Sequence, residues 1–146
     1  MSAADERSLR ERREAVMADH IAAENIHDVE ATIATMHRPR YELNGEPSDG
    51  EAAVRGFLQE LMTAFPDFHL ENEKVHHADE AVIAEARVTA THTGPLRGIP
   101  PTGRALDYPV ACIYEFEGDR IVCEKLFLDF ATVLRQIGVL PEPAGE

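Results

Sequence analysis

The sequence predicts an α+β fold in a single domain spanning residues 1–146, and three observations predict it. Apolar residues recur at helical spacing up to Phe65 and at every second position beyond Pro66. The two-residue periodicity runs through four consecutive segments joined by turns, a meander of antiparallel strands following the helices. Between two of those segments, His92 to Arg104 carries Gly94, Gly98, Gly103, Pro95, Pro100 and Pro101, which no helix or central strand accommodates. It is a long shaped loop, of the kind that rims a site.

In chain order, Leu9, Val16, Met17, His20 and Ile21 form one stripe of a first helix, which breaks near Asn25 to His27. Val29, Ile33 and Met36 repeat at one turn in a shorter helix, with His27 or Asp28 as N-cap and Pro39 forbidding continuation. Tyr41 to Gly45 is a short strand entering a turn. Ser48 and Glu51 have capping-box spacing, and the helix they open presents Val54, Phe57, Leu58, Leu61, Met62 and Phe65 on one face.

His69 to His76 is a half-polar strand. In the next, Ala81 to Thr93, Val82, Ala84, Ala86, Val88, Ala90 and His92 share a face. Leu106 to Phe116 alternates through a third strand, Glu117 to Arg120 is a hairpin turn, and Ile121 to Asp129 is a fourth strand. Val133, Leu134 and Ile137 make a final helix stopped by Gly138. A two-residue type II′ turn at Gly118-Asp119 pairs Tyr114 with Cys123, Val110 with Phe127 and Tyr108 with Asp129. A strongly twisted sheet wrapped on these helices leaves one concave face to enclose.

Composition narrows the function. Acidic residues outnumber basic ones 27 to 14, a net charge of −13, which disfavours nucleic acid and anionic membrane surfaces as partners. Cys112 and Cys123 lack metal or disulfide spacing and read as buried thiols in a reducing compartment. With no signal-like N-terminus and no apolar run of about 18 residues, a cytoplasmic protein is expected. There is no glycine-rich phosphate loop, dinucleotide fingerprint or GxSxG, and no His, Cys or carboxylate cluster at metal spacing. His76 and His77 are adjacent and point to opposite faces of a strand. Cofactor-free acid/base chemistry in an apolar pocket, or ligand binding alone, remains.

Asp129 sits in the apolar run Lys-Leu-Phe-Leu-Asp-Phe-Ala. Burial there would raise its pKa and suit it to proton transfer; alternatively it caps the following helix. His92, above a row of Ala and Val, is either a pocket residue or a core histidine shaping the turn. Glu85 and Arg87 are an acid–base pair or a solvated ion pair. Tyr108 and Tyr114 could orient a carbonyl oxygen or serve as core aromatics. With Phe127, they are the candidate substrate-binding residues.

Ala64-Phe65-Pro66-Asp67, the loop from Thr91 to Arg104, Phe116 to Val122, and Asp129 seven residues before Gln136-Ile137-Gly138 together form a recognisable set. The chain resembles the SnoaL-like polyketide cyclases of the nuclear transport factor 2-like superfamily. The resemblance implies a cone-shaped α+β barrel, its curved antiparallel sheet closed by helices, and a homodimer through the outer sheet face. It implies Asp129 as general acid/base in an intramolecular aldol ring closure of an apolar polyketide ester, with no metal or cofactor. His92 matches a frequent family position and joins Asp129 as a catalytic candidate. Relatives that open epoxides carry an acid where Thr89 stands, so that chemistry loses its water-activating pair. The alternatives are isomerisation or dehydration on the same scaffold, or a non-catalytic dimeric module that binds a small molecule. For the enzyme, Asp129→Asn is expected to abolish turnover and leave the thermal midpoint nearly unchanged.

Overall fold

The computed structural model describes residues 1–145. Helix α1 (Ala3–Asn25) opens with a capping box in which Ser2 Oγ accepts from the Asp5 N–H and the Asp5 carboxylate accepts from the Ser2 N–H. Its inward stripe is more polar than a core helix requires: Arg13, His20 and Glu24 are buried beside Met17 and Ala23. His27 turns the corner with φ of 61°, and Asp28 caps α2 (Val29–Ala34) by accepting from the Ala31 N–H at 2.9 Å.

Helix α3 (Glu51–Ala64) buries Val54, Leu58 and Ala64 completely. Burial of each of the two larger side chains is worth about 1.5–3 kcal/mol. Its cap differs from the expected box. Ser48 lies in β2 (Glu46–Asp49), which pairs antiparallel with β1 (Arg40–Leu43). The N-cap is Gly50, with φ of 91° and no side-chain bond. The β1–β2 hairpin delivers the chain to α3 in a left-handed conformation, which glycine adopts without strain.

Six strands form one curved mixed sheet in the order β2-β1-β6-β5-β4-β3, completed by β3 (His69–His77), β4 (Ala81–Thr91), β5 (Ala105–Glu117) and β6 (Arg120–Phe127). Strands β3 to β6 are the expected antiparallel meander. The fully antiparallel sheet is corrected at one place, where β1 runs parallel to β6, Tyr41 opposite Glu124. Periodicity within β1 carries no information about a neighbour some eighty residues away. Helix α4 (Phe130–Gln136) follows β6 and ends at Gly138, φ 83°.

The β5–β6 hairpin starts in the expected register, with Glu117 opposite Arg120 and Phe116 opposite Ile121. Glu115 is then opposite Cys123, so Val122 is the additional residue of a β-bulge. Every later pair is displaced by one position. Tyr114 faces Glu124, Cys112 faces Leu126 and Ala111 faces Phe127, in place of the expected Tyr114–Cys123 and Val110–Phe127 pairs. Strand β6 ends at Phe127, so the expected Tyr108–Asp129 pair does not form.

Candidate functional site

The inner sheet face and α3 enclose an apolar cavity walled by Phe57, Leu61, Phe65, Phe68, Val88 and Leu126. The cavity is narrow, about 80 Å³, and opens to solvent at its mouth. Four polar side chains reach it. Glu60 and Arg97, both substantially exposed, meet in an ion pair at 3.1 Å, and Arg97 also lies 3.5 Å from Glu46. Tyr108 enters from β5 and Glu24 from α1.

The loop from His92 to Arg104 supplies one wall through Leu96 and Arg97. Its ends are tied together by His92 N–H to the Arg104 carbonyl and Gly103 N–H to the His92 carbonyl, at 2.9 and 2.8 Å. Thr93 and Gly94 both donate to the Ala64 carbonyl at the end of α3. Gly94 is required there, because a Cβ would lie 1.8 Å from the Thr63 carbonyl oxygen. At the tip Arg97 and Gly98 are both left-handed, making a tight turn closed by two bonds between Leu96 and Ile99.

Glu24 belongs to a buried polar cluster that the sequence reading did not assemble. His20, one helical turn earlier, has its Nε2 2.9 Å from Glu124 Oε2, 2.8 Å from the Tyr41 hydroxyl and 3.4 Å from Glu24 Oε2. Its Nδ1 is 2.7 Å from Thr35 Oγ. The Tyr41 hydroxyl donates to Glu24 at 3.3 Å. Burial is the largest single influence on His20 and opposes its charge. The bonds and charges of Glu124 and Glu24 together outweigh it, raising the pKa from 6.5 to about 10. For Glu24 burial also leads and lifts its carboxyl above the usual range, only partly offset by His20 and Tyr41. The Tyr114 hydroxyl is fully buried beside this cluster with no hydrogen-bond partner among the described residues.

These placements redistribute the expected site residues. Asp129 is not buried in an apolar pocket: its side chain is 65% exposed. It is the N-cap of α4, accepting from the Ala131 N–H at 3.1 Å and the Thr132 hydroxyl at 2.8 Å. The Thr132 bond is the main reason its pKa is lowered, where burial was expected to raise it. Phe127 is 47% exposed and, with Asp129, lines a groove on the outer sheet face. That groove shares Tyr108, Val110 and Leu128 with the cavity. The chain leaves β6 at Leu128, which Asn44 clamps through both its N–H and its carbonyl.

His92 is fully buried beside the Phe65 ring, 5.8 Å between centroids, and is not among the cavity-lining residues. Its Nδ1 accepts from the Thr102 N–H at 3.3 Å and sits 3.0 Å from Thr102 Oγ, while Nε2 has no partner among the described residues. Tyr108 lines the cavity; Tyr114 stands by the cluster. Glu85 and Arg87 do not pair with each other: Glu85 meets His76, and Arg87 meets Asp107.

His20, Glu24 and Glu124 offer three donor atoms within 4.8 Å of one another. A cation there would have to displace the proton that His20 Nε2 shares with Glu124, since a protonated imidazole nitrogen has no lone pair to donate. In the half-buried trio Glu42, Glu115 and Cys123, the two acids are already paired with Arg40 and Lys125.

The sequence held a partial signal for this cluster. His20 was on the apolar stripe, and Glu24 extends that stripe by one turn. Glu124 lies within the apolar run Ile-Val-Cys-Glu-Lys-Leu, but the bulge at Val122 is what turns it inward.

The profile of a family described as SnoaL-like polyketide cyclase matches residues 12–137. No curated protein matches the chain in sequence. Among solved structures, a protein of Jannaschia sp. CCS1 assigned to the SnoaL-like polyketide cyclases superposes with a TM-score of 0.80 at 21% identity, covering 89% of this chain and 94% of its own. An NTF2-like protein of unknown function from Burkholderia pseudomallei K96243 gives 0.74 at 16% identity, covering 87% and 98%. TerC, crystallised with polyporic acid, gives 0.72 at 13%, covering 86% and 98%. At these identities the likeness shows the fold, which is NTF2-like.

Proposed function

The chain belongs to the SnoaL-like polyketide cyclase family, and from that premise we propose an enzyme that performs acid/base chemistry on an apolar carbonyl compound. Intramolecular aldol-type ring closure is the favoured reaction. One observation carries the reading: Glu24 alone of the buried cluster reaches the apolar cavity, with its carboxyl held above the usual range by burial.

In this reading Glu24 is a carboxylic acid facing the substrate at neutral pH, the state a general acid requires. It gives its proton to the acceptor carbonyl oxygen as the enol carbon of the same molecule bonds to the carbonyl carbon. The resulting carboxylate takes the enol hydroxyl proton, leaving a β-hydroxy ketone and the restored acid. Tyr108 supplies a second hydroxyl to the cavity for orienting an oxygen. The aromatic walls suit a flat apolar substrate, in keeping with a relative in fold that was crystallised with polyporic acid. A homodimer across the outer sheet face belongs to the same reading, supported by partly exposed Ile83 and Ile113 and exposed Phe127.

A second reading keeps the acid/base role on Asp129, with His92 as the other catalytic candidate. It is favoured by the family resemblance and by the groove that joins Asp129 to Tyr108 and the cavity wall. Turnover of a panel of enolisable aryl polyketones and their esters separates the two. Glu24→Gln is expected to lose about 100-fold or more, the usual weight of a general acid, and Asp129→Asn to stay within a few-fold. The opposite ranking moves the role to Asp129. Tight binding with no turnover by the unmodified protein makes it a binding module.

A further inference from the structure

We propose that Glu124 is a positioning residue, which holds His20 as an imidazolium and so leaves the transferable proton on Glu24. The inference rests on the reading of Glu24 as the acid of the site. It begins with hydrogen bookkeeping. Thr35 Oγ gives its hydrogen to the Thr32 carbonyl at 2.6 Å, so towards His20 it can only accept. His20 Nδ1, 2.7 Å away, therefore carries a hydrogen. The remaining nitrogen, Nε2, faces three oxygens: Glu124 at 2.9 Å, Tyr41 at 2.8 Å and Glu24 at 3.4 Å. A second hydrogen on Nε2 satisfies Glu124 and the Tyr41 oxygen together and frees the Tyr41 hydrogen for Glu24.

The imidazolium so formed balances one carboxylate, and no more. A second ionised carboxylate in the same dry space would be uncompensated, and buried charge without a partner is strongly disfavoured. Glu124 is the nearer acid and is almost fully buried, so it takes the pairing. Glu24, at the longer distance and on the cavity side, keeps its proton. The other ionisable groups packed here are Tyr41 from β1 and Tyr114 and Cys112 from β5, each held protonated well beyond neutral pH by burial. Glu124 thus acts through His20 and never touches the substrate.

The test places the proton directly. In protein carrying 13C-labelled glutamate at pH 7, the Glu24 δ-carbon, identified by its loss in Glu24→Gln, is expected at the neutral-carboxyl position. In Glu124→Gln, which is nearly isosteric, Glu24 is expected to become the counterion and its resonance to move to the ionised position. His20 should remain doubly protonated by 15N shift. A Glu24 carboxyl already ionised in the unmodified protein overturns the proposal. So does a Glu24 that stays neutral in a folded Glu124→Gln. Should that variant fail to fold, the unmodified protein still decides, since an ionised Glu24 or a singly protonated His20 sinks the scheme. Failure of the acid reading looks different: turnover survives Glu24→Gln while the carboxyl is neutral as expected.

Discussion

Raising the pH from 7 to 8.5 should destabilise this protein, and His20 sets the size of the effect. Unfolded, the side chain titrates near 6.5; folded, between Glu124 and Glu24, at about 10. Between those values the folded chain retains a proton that the unfolded chain has lost, so stability falls as pH rises. His20's contribution is fully present below 6.5 and gone above about 10. At 1.36 kcal/mol per unit, the whole shift is worth up to about 5 kcal/mol. Glu24, also raised, changes stability in the same direction from its ordinary value of 4.5 upward. The buried tyrosines and Cys112 add to the loss only at higher pH, where their unfolded counterparts ionise. Carboxylates lowered by partners, such as Asp67 and Asp129, lose their contribution on the acid side and do not enter this window. Urea unfolding followed by circular dichroism should therefore show the midpoint dropping by roughly 0.5–1 M per pH unit, from the usual range of denaturant slopes. A midpoint that is constant or rises between pH 7 and 8.5 would refute the buried imidazolium.

The remaining predictions use the same physics elsewhere. Asp129→Ala removes the cap of α4 and should cost about 1 kcal/mol of stability, read as a lowered urea midpoint. Gly94→Ala drives a methyl group into the Thr63 carbonyl and should cost about 1–3 kcal/mol or more as the loop shifts away from α3. Leu61→Trp fills the cavity from α3 and should weaken binding of an apolar fluorescent probe by about tenfold or more, a loss above roughly 1.4 kcal/mol. An unchanged probe affinity would place the ligand outside the cavity.

Most elements were legible because each rests on local chemistry. Asp28 before an apolar turn, Gly118 at the hairpin and the strict alternation from Val82 to Ala90 all read directly as structure. What escaped depends on partners distant in the chain. The parallel seating of β1 on β6 joins Tyr41 to Glu124. The Ser48 cap failed because β2 needs that residue for pairing with Tyr41. Asp129 was open to two readings, cap and catalyst, and the end of β6 two residues earlier decides where its side chain stands. The buried cluster was least legible, since α1, the turn after α2, β1 and β6 must meet before His20, Thr35, Tyr41 and Glu124 become neighbours.

The bulge at Val122 has a consequence for how this chain can change over generations. Strand parity makes chain length between the hairpin and residue 124 a coded quantity. Were the strand to pair without its bulge at its present length, Lys125 would turn inward in place of Leu126, exchanging an apolar wall for a cation. Glu124 would rotate to the outer surface at the same stroke, stranding His20 without its nearest acid. Deleting Val122 would instead remove the bulge and keep Glu124 opposite Tyr114, so the extra residue and the bulge that absorbs it must be gained or lost together. When such strands are aligned between relatives, a gap misplaced by one position assigns the wrong residue to the chamber floor.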